Sequence, residues 1–277
     1  MSGKVEFTKM QGLGNDYIYV NTIAQKIACP EKIAIRLSDR RFGIGSDGLI
    51  LIGNSNVADF SMRIFNADGS EAKMCGNGSR CVGRYLYEKG LTDKTTIFLE
   101  TLSGIKILRL SLDDQGQVSS VSVDMGTAEL LKVGNGNAFY QDPLQSLDRI
   151  FTATTINMGN PHIVLMVDDA DTVDVAKYGS DIEKSAMFPG GINVEFAQRL
   201  SYGHIRMRVW ERGSGITMAC GTGACATVVA FTLAGSVRGE TQVEMDGGSL
   251  FISFDADSGK VQMRGPAVTV FEGSVVI

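Results

Sequence analysis

Two cysteines in matching glycine-rich segments are the residues of this sequence best suited to chemistry. Cys75 lies in residues 74–78 (MCGNG), and Cys220 lies in residues 219–223 (ACGTG). The second follows the first by 145 positions (220 − 75 = 145). A thiolate can remove a proton from a carbon atom, and a thiol can return one. Two such groups on opposite sides of one carbon would invert its configuration, so the pair predicts a racemase or an epimerase.

Each of these segments stands just before a predicted helix. A helix N-terminus presents unpaired backbone N–H groups and a partial positive charge. Both features would lower the pKa of an adjacent thiol and would bind an anion such as a carboxylate. The alternative interpretation is that Cys75 and Cys220 are ordinary small core residues. The repetition of Cys-Gly-x-Gly at matched positions favours the chemical interpretation.

The same spacing of 145 residues relates other parts of the chain. The further pairs of matching segments are 62–70 (MRIFNADGS) with 207–215 (MRVWERGSG), and 12–20 (GLGNDYIYV) with 157–165 (NMGNPHIVL). This alignment makes Asn160 the counterpart of Asn15. A chain that consists of two diverged copies is expected to fold as two similar lobes of ordinary domain size.

The repeat predicts the domain boundaries. Residues 1–120 form the expected N-terminal lobe, and residues 121–265 form the expected C-terminal lobe. Residues 266–277 are a strand for which a return to the N-terminal lobe is one alternative. Matched elements would then face each other across a cleft between the lobes, and the active site is expected in that cleft.

Composition excludes several classes of protein. The chain has 277 residues, 44% hydrophobic residues and a formal net charge of −5, which is typical of a soluble globular protein and gives no reason to expect nucleic acid or an anionic membrane as a partner. No apolar run approaches the roughly 20 residues of a membrane span. The N-terminus shows no signal-peptide core, so a cytoplasmic location is expected. Five cysteines cannot all pair with each other, and free thiols are expected.

Periodicity predicts many strands and fewer helices. Residues 105–112 and 121–125 alternate around a turn at 113–116, which predicts a β-hairpin, and residues 250–263 repeat that pattern. The predicted helices are residues 30–41, 79–89 and 224–234, each with a glycine one or two residues past its end. The third is apolar on all sides and is therefore expected to be buried.

Other candidate sites are weaker. Cys81 and Cys225 fall inside predicted helices, where the core interpretation is favoured, and their spacing from Cys75 and Cys220 is longer than zinc motifs usually show. Residues 43–48 (GIGSDG) match a dinucleotide-binding pattern, but a helix precedes them and a strand comes after, which is the reverse of the required order. No metal and no cofactor are therefore expected.

Three polar residues of the second copy are candidates for the same site. His162 lies beside Asn160 in a repeated loop, so a supporting role and a purely structural role both stay open. Glu211 and Arg212 precede Cys220 by nine and eight residues, as Asn66 precedes Cys75 by nine. An arginine suits a carboxylate in bidentate fashion, and a glutamate suits an ammonium group.

Several motifs together resemble the diaminopimelate epimerase family. They extend over nearly the whole chain and are residues 12–17 (GLGNDY), 65–70 (FNADGS), 74–78 (MCGNG), 159–162 (GNPH), 193–196 (NVEF), 210–213 (WERG) and 219–225 (ACGTGAC). The resemblance implies an α+β fold with two pseudo-symmetric lobes, each a mostly antiparallel β-barrel around a central helix. It also implies cofactor-independent epimerisation of LL-2,6-diaminopimelate to meso-diaminopimelate, in the synthesis of lysine and peptidoglycan precursors.

The resemblance carries roles onto individual residues. Cys75 and Cys220 match the two catalytic cysteines. Backbone groups at Gly76, Asn77, Gly221 and Thr222 would hold the reacting carboxylate, with Glu211 near the reacting amine. The residues that would bind the distal end of the substrate are Asn15, Asn66, Asn160, Asn193 and Arg212. The expected partners are a small amino-acid substrate and, in a homodimer, a second copy of the chain.

Two positions depart from the family pattern and leave substrate selectivity open. Gly48 stands where many members have a substrate-contacting glutamine, and Ile216 stands where most have an acidic residue. The resemblance extends more weakly to proline racemase and histidine racemase, so racemisation of another amino acid is the alternative activity. A dithiol redox sensor or a metal site is the non-enzymatic alternative, which zinc content and thiol titration would separate from an enzyme.

Overall fold

The computed structural model of the protein describes residues 3–134 and 136–277. Strands dominate the fold, with helices between them. The strands are β1 Lys4–Gly12, β2 Asn15–Asn21, β3 Gly48–Gly53, β4 Phe60–Asn66, β5 Glu71–Ala72, β6 Thr96–Thr101, β7 Gly104–Leu112, β8 Val118–Thr127, β9 Glu129–Leu130, β10 Tyr140–Ser146, β11 Arg149–Asn157, β12 Pro161–Met166, β13 Asn193–Ser201, β14 His204–Glu211, β15 Gly215–Thr217, β16 Thr241–Met245, β17 Gly248–Phe254, β18 Lys260–Gly265 and β19 Val268–Val276. The helices are α1 Pro30–Ser38, α2 Gly76–Glu88, α3 Val175–Glu183 and α4 Gly221–Leu233.

Contacts between Cα atoms divide the chain into two compact units. The first unit is Met1–Val123 together with Arg264–Ile277, and the second unit is Asp124–Met263. The class of the fold is α+β, as predicted from the sequence. The lobe boundaries at residues 120, 121 and 265, the closed barrels and the cleft stay predictions.

In the first unit the strands pair mostly in antiparallel fashion. β1 pairs with β19 on one side and with β2 on the other, and β3 pairs with β4. β6 pairs with β7, which pairs with β8. Two pairings are parallel, β2 with β3 and β4 with β6. Each parallel pairing requires a crossover connection, and α1 and α2 supply these two crossovers.

The second unit has the same internal order of pairings. β11 pairs with β10 and β12, β13 pairs with β14, and β16 pairs with β17, all antiparallel. The parallel pairings are β12 with β13 and β14 with β16, and here α3 and α4 supply the crossovers. The repeat at 145 residues is therefore a repeat of topology as well as of sequence.

In each unit one helix packs inside the curved sheet. α2 contacts the paired strands β1 and β2 and also β7, which lies far from them in the order of pairing. α4 likewise contacts β11, β14 and β17. A sheet can reach the same helix from both directions only if it curves around that helix. α4 carries no charged residue and is almost entirely buried, which matches its all-round apolar sequence.

The predicted helix boundaries need correction. α2 and α4 begin at Gly76 and Gly221, three residues before the predicted starts at 79 and 224. Glycine is a poor helix former, so the Gly-x-Gly segments resemble loops in sequence, and packing overrides that local preference. α1 ends at Ser38 and not at residue 41, because the side chain of Asp39 accepts hydrogen bonds from the backbone N–H groups of the next turn.

One helix, α3, was not predicted from the sequence. α3 has no proline at its start, but Asp174 caps it by accepting a hydrogen bond from the backbone N–H of Lys177 (3.0 Å). α3 is the repeat counterpart of α1, since its first residue lies 145 positions after the first residue of α1 (175 − 30 = 145). The repeat spacing was therefore the signal that could have predicted it.

Both predicted hairpins are confirmed. β7 and β8 pair across a turn in which Gly116 has a positive φ of 76°. β17 is followed by a turn closed by the hydrogen bond from Asp255 N–H to the carbonyl of Lys260 (3.0 Å), and β18 begins there. Within residues 3–134 and 136–277, no helix is long and apolar enough to cross a membrane.

Candidate active site

Cys75 is the N-cap residue of α2. Its backbone is extended (φ −139°, ψ 116°), and its sulfur accepts a hydrogen bond from the backbone N–H of Gly78 (3.3 Å). A Cβ at position 78 would lie 2.7 Å from Cδ1 of Ile50, so a larger residue there would force that side chain to shift. The glycine thus lets the first turn of the helix approach both the thiol and the strand behind it.

The side-chain amide of an asparagine contacts the Cys75 thiol. The thiol donates a hydrogen bond to Oδ1 of Asn15 (3.4 Å), and the side-chain amide of Asn77 lies 3.5 Å from the same oxygen. Nδ2 of Asn15 donates to the carboxylate of Asp47 (2.8 Å), which fixes which end of the amide faces the sulfur. Asn15, Asn77 and Cys75, predicted to serve one site, therefore do lie together.

Charged residues support the Asp47 carboxylate. Arg40 contacts both Asp16 (2.8 Å) and Asp47 (2.9 Å), and the buried ammonium group of Lys9 lies 2.7 Å from Asp16. Burial alone would raise the pKa of Asp16, but hydrogen bonds from Arg40 and Lys9 lower it below its usual value. This network was not predicted from the sequence, because its members come from separate elements of the fold.

Cys220 occupies the matching position at the start of α4. Its sulfur accepts a hydrogen bond from the backbone N–H of Gly223 (3.4 Å), and the hydroxyl of Thr222 lies 3.6 Å away. Nδ2 of Asn160 donates to that hydroxyl (3.4 Å). The structure therefore brings Asn160 and Thr222 to Cys220, as it brings Asn15 and Asn77 to Cys75.

A buried acid–base pair lies behind Cys220. Nδ1 of His162 lies 2.7 Å from Oε1 of Glu195, both side chains are fully buried, and Nε2 of His162 lies 3.0 Å from Oδ1 of Asn160. A Cβ at Gly223 would lie 2.7 Å from the Glu195 carboxylate and 3.3 Å from the Cys220 sulfur, so both groups lie close to Gly223. Burial raises the pKa of Glu195, although His162 opposes that shift.

Glu195 was not predicted as a site residue, although it lies inside one of the family motifs. The repeat counterparts of His162 and Glu195 are Tyr17 and Ile50 (162 − 145 = 17; 195 − 145 = 50). The two thiols therefore have different surroundings despite their matching caps. An acidic residue opposite an isoleucine in the alignment of the two halves is the signal that could have identified it.

Glu211 and Arg212 lie on one segment with defined partners. The hydroxyl of Thr217 donates to the carboxylate of Glu211 (2.5 Å). The backbone N–H of Arg212 donates to Oδ1 of Asn193 (3.0 Å), and its guanidinium donates to the carbonyl of Gly190 (3.2 Å). Burial raises the pKa of Cys220, and the charge of Glu211 adds to that shift. Asn193 therefore lies beside the segment that carries Glu211 and Arg212.

Asn66 has its own local partners. Its side-chain amide donates to Ser70 (3.0 Å), and its backbone N–H donates to the carbonyl of the same residue (2.8 Å). These bonds hold the turn after β4. The role predicted for Asn66 in binding substrate stays a prediction.

The thiol pKa values differ from the expectation. Burial raises the pKa of Cys75, although the N–H groups of the helix turn and Arg80 oppose that shift. Burial also raises the pKa of Cys220, to which the charges of Glu211 and Glu195 add. The expected lowering by the helix N-termini is therefore outweighed by desolvation.

The two positions that depart from the family pattern have different environments. A Cβ at Gly48 would lie 2.2 Å from the carbonyl oxygen of Phe65 and 2.9 Å from the ring of Tyr17, so this backbone accommodates no side chain there. Ile216 is 47% exposed and lies opposite Trp210 in the β14–β15 ladder. Ile216 is therefore not part of the hydrophobic core.

The remaining cysteines lie outside the two helix caps. Cys81 and Cys225 are fully buried inside α2 and α4, and Cys29 is exposed at the start of α1. No disulfide joins any of the five cysteines. Within the described part of the chain, no group of three or more histidine, cysteine or acidic residues is arranged to hold a metal ion.

Comparison with known proteins gives the family. The model of the diaminopimelate epimerase family matches residues 7–131 and 154–270, which include both cysteine segments. The chain belongs to the diaminopimelate epimerase family. This confirms the resemblance found in the motifs.

Relatives within the diaminopimelate epimerase family match the full length of the chain. The diaminopimelate epimerase of Bacteroides thetaiotaomicron is 54% identical over 276 residues, 99% of each chain. That of Parabacteroides distasonis is 53% identical over 277 residues, all of both chains. A crystal structure of a PhzF-family phenazine biosynthesis protein from Bacillus anthracis shares the fold, with a TM-score of 0.73, 18% identity, and coverage of 99% of this chain and 100% of that one.

Proposed function

We propose that this protein is an isomerase that interconverts LL-2,6-diaminopimelate and meso-diaminopimelate without a cofactor, in the synthesis of lysine and peptidoglycan precursors. The observation that carries the proposal is the pair of cysteines that cap matching helices, each beside an asparagine. Full-length relatives named diaminopimelate epimerase support this substrate.

The proposed mechanism uses the two thiols as the two bases. One of Cys75 and Cys220, as thiolate, takes the α-proton, and the electron pair of the broken C–H bond stays on the substrate. The other, as thiol, delivers its own proton to the opposite face of the same carbon. The enzyme ends with the protonation of its thiols exchanged. Release of one proton to solvent and uptake of another restore the starting state before the next turnover in the same direction. This requires Cys75 and Cys220 to lie on opposite sides of the α-carbon, in a cleft between the two units.

The unpaired N–H groups of two helix ends supply the electrostatic stabilisation that a weak carbon acid needs. In this proposal Gly76 and Asn77 on one side, and Gly221 and Thr222 on the other, hold the reacting carboxylate, whose charge grows as the proton leaves. Glu211 receives the reacting ammonium group. The distal end binds to Arg212 and to four asparagines, namely Asn15, Asn66, Asn160 and Asn193.

His162 is proposed to support the site without touching the reacting carbon. Its contact with Oδ1 of Asn160 (3.0 Å) orients that amide, and Glu195 in turn orients the imidazole ring (2.7 Å). The amide of Asn160 then presents its Nδ2 toward Thr222 and the Cys220 thiol. Asn15 receives the corresponding support from Asp47.

The raised thiol pKa values predict the pH dependence of kcat/KM. One thiol must be anionic and the other neutral, and kcat/KM reports the pKa values of the free enzyme. Since burial raises the pKa of both thiols, the thiolate fraction is small near neutrality and grows with pH. We expect kcat/KM to rise from about pH 7 to about pH 9. A profile that is flat or falls over this range would contradict the assignment of a thiolate base.

A substrate panel tests the proposed activity. Diaminopimelate carries a second amino-acid end, and a site built to bind it rejects analogues that leave its polar groups unpaired, by a factor of about 10⁴. We expect efficient turnover of LL-diaminopimelate and little turnover of proline, histidine or lysine, measured by chiral chromatography. Faster racemisation of proline or histidine would support the alternative racemase. Absence of any turnover, together with stoichiometric zinc, would support the non-enzymatic metal site.

We also propose that the protein is cytoplasmic and forms a homodimer. The exposed apolar side chains of β19, among them Val270 (54% exposed) and Phe271 (45% exposed), support an interface between two copies, because apolar side chains are favoured at homodimer contacts. Sedimentation equilibrium of the purified protein measures the assembly state, and a monomer at all concentrations would refute the proposed homodimer.

A further inference from the structure

Glu183, the last residue of α3, contacts the segment that carries Glu211 and Arg212. Its Oε2 accepts a hydrogen bond from the indole N–H of Trp210 (2.6 Å), and its Oε1 accepts one from the backbone N–H of Gly213 (2.8 Å). Trp210 and Gly213 stand on either side of the two charged residues. A single carboxylate therefore fixes both ends of the segment.

The contact between α3 and this segment is close. A Cβ at Gly179, one turn before Glu183, would lie 2.5 Å from Cβ of Trp210 and 2.7 Å from its Cγ, so the helix backbone packs directly on the tryptophan. A Cβ at Gly191 would lie 2.9 Å from both Cγ and Cδ of Arg212. The two glycines thus allow the backbone at residues 179 and 191 to pack directly against the segment. This packing leaves the segment little freedom to shift.

The position of Glu183 is not explained by the stability of its own helix. A negative charge at a helix C-terminus interacts unfavourably with the helix dipole. In the first unit the counterpart is Ser38 (183 − 145 = 38), whose hydroxyl accepts a hydrogen bond from Ser46 (3.0 Å). The Glu183 carboxylate therefore occurs in the second half of the chain, which also carries Glu211 and Arg212. The first half has Asn66 and Ala67 at the positions that match those two residues.

We propose that Glu183 is a positioning residue that holds residues 210–213 so that Glu211 and Arg212 are oriented to bind the substrate. The proposal rests on the proposed function for its substrate. Hydrogen bonds to an ionised carboxylate are about twice as strong as neutral ones. Two of them from one side chain set both the place and the direction of the segment between them.

The test uses Glu183→Gln with Asp181→Asn as the matched control. A glutamine keeps the shape of the side chain but presents an NH2 group to one of the two N–H donors, so one hydrogen bond is lost. Asp181 is also a carboxylate on α3, but it accepts from Ser146 (2.6 Å), away from the segment. Trp210 is the single tryptophan of the chain, so its fluorescence reports on this contact directly.

We expect Glu183→Gln to shift the emission maximum of Trp210 without ligand, because a neutral amide replaces the charged carboxylate beside the indole N–H. We also expect KM for LL-diaminopimelate to rise about tenfold, a factor that corresponds to about 1.4 kcal/mol, with a smaller change in kcat. A loss of folded protein would lower the apparent kcat and leave KM unchanged. Asp181→Asn should change neither emission nor KM.

Several outcomes would overturn the proposal. One is an unchanged KM in Glu183→Gln, whatever the emission of that variant. Another is a change of emission and KM in Asp181→Asn equal to that in Glu183→Gln. If the wild-type protein does not turn over diaminopimelate, the proposed function fails. Separately, an unchanged ligand-free emission of Trp210 in Glu183→Gln would refute the contact between Glu183 and Trp210. If Glu183→Gln does not fold, Trp210→Phe removes one donor only, and a KM equal to wild type in that variant would refute the role.

Discussion

Replacement of either Cys75 or Cys220 by alanine is expected to reduce the rate of epimerisation by a factor of about 10²–10⁴, which is the usual contribution of a positioned acid or base. In the proposed mechanism each thiol has a task that the other cannot perform, because the two thiols would serve opposite faces of one carbon. The fold should persist, since each cysteine caps a helix that is held mainly by packing inside its own sheet. Rates in both directions and the circular dichroism spectrum measure the two effects.

Cys81→Ala and Cys225→Ala are the matched controls. Both side chains are fully buried in the same two helices, so their truncation should cost about 1–2 kcal/mol of unfolding free energy and leave turnover unchanged. Reaction in D2O adds a second check, because a two-base enzyme should place deuterium in the product before it appears in recovered substrate. Loss of turnover in a stable Cys81→Ala protein, or equal early labelling of both pools, would contradict the division of the cysteines.

Arg212→Ala should raise KM for LL-diaminopimelate about 10–100-fold. Its guanidinium is the proposed partner of the distal carboxylate, and a hydrogen-bonded contact to a charged group contributes about 1.5–3 kcal/mol, with about a factor of ten for each 1.4 kcal/mol. The side chain is exposed and contacts Gly190 and Gly191, so its loss should hardly affect stability. Steady-state kinetics on both epimers, with thermal unfolding alongside, give the comparison.

Arg212→Lys is the control for charge without bidentate geometry. A lysine keeps the positive charge but not the planar fork, so an intermediate KM is expected. An Arg212→Ala protein with wild-type KM would remove this residue from the binding of the distal end. A fall in kcat at unchanged KM would place it in the chemical step instead.

The sequence alone determined the repeat and the correspondence between the two halves of the fold. The spacing of 145 residues, found at the two cysteine segments, also relates α2 to α4 and α1 to α3 in the structure. Hairpins and the buried α4 could be predicted because alternation, turn residues and an all-round apolar helix are local patterns. The helix starts at Gly76 and Gly221 could not, because local preference disfavours glycine in a helix.

Only the tertiary structure decided the surroundings of the two thiols. Glu195 lies 33 residues from His162 in the chain, and Glu183 lies 27 residues from Trp210. Neither pair could be predicted from a local pattern, because each requires a strand or helix to return beside another. The direction of the thiol pKa shifts depends on burial as well as on the helix ends, and burial is a property of the packed fold. The sequence therefore identified the candidate reacting groups, while the tertiary structure set the direction of their pKa shifts and their orientation.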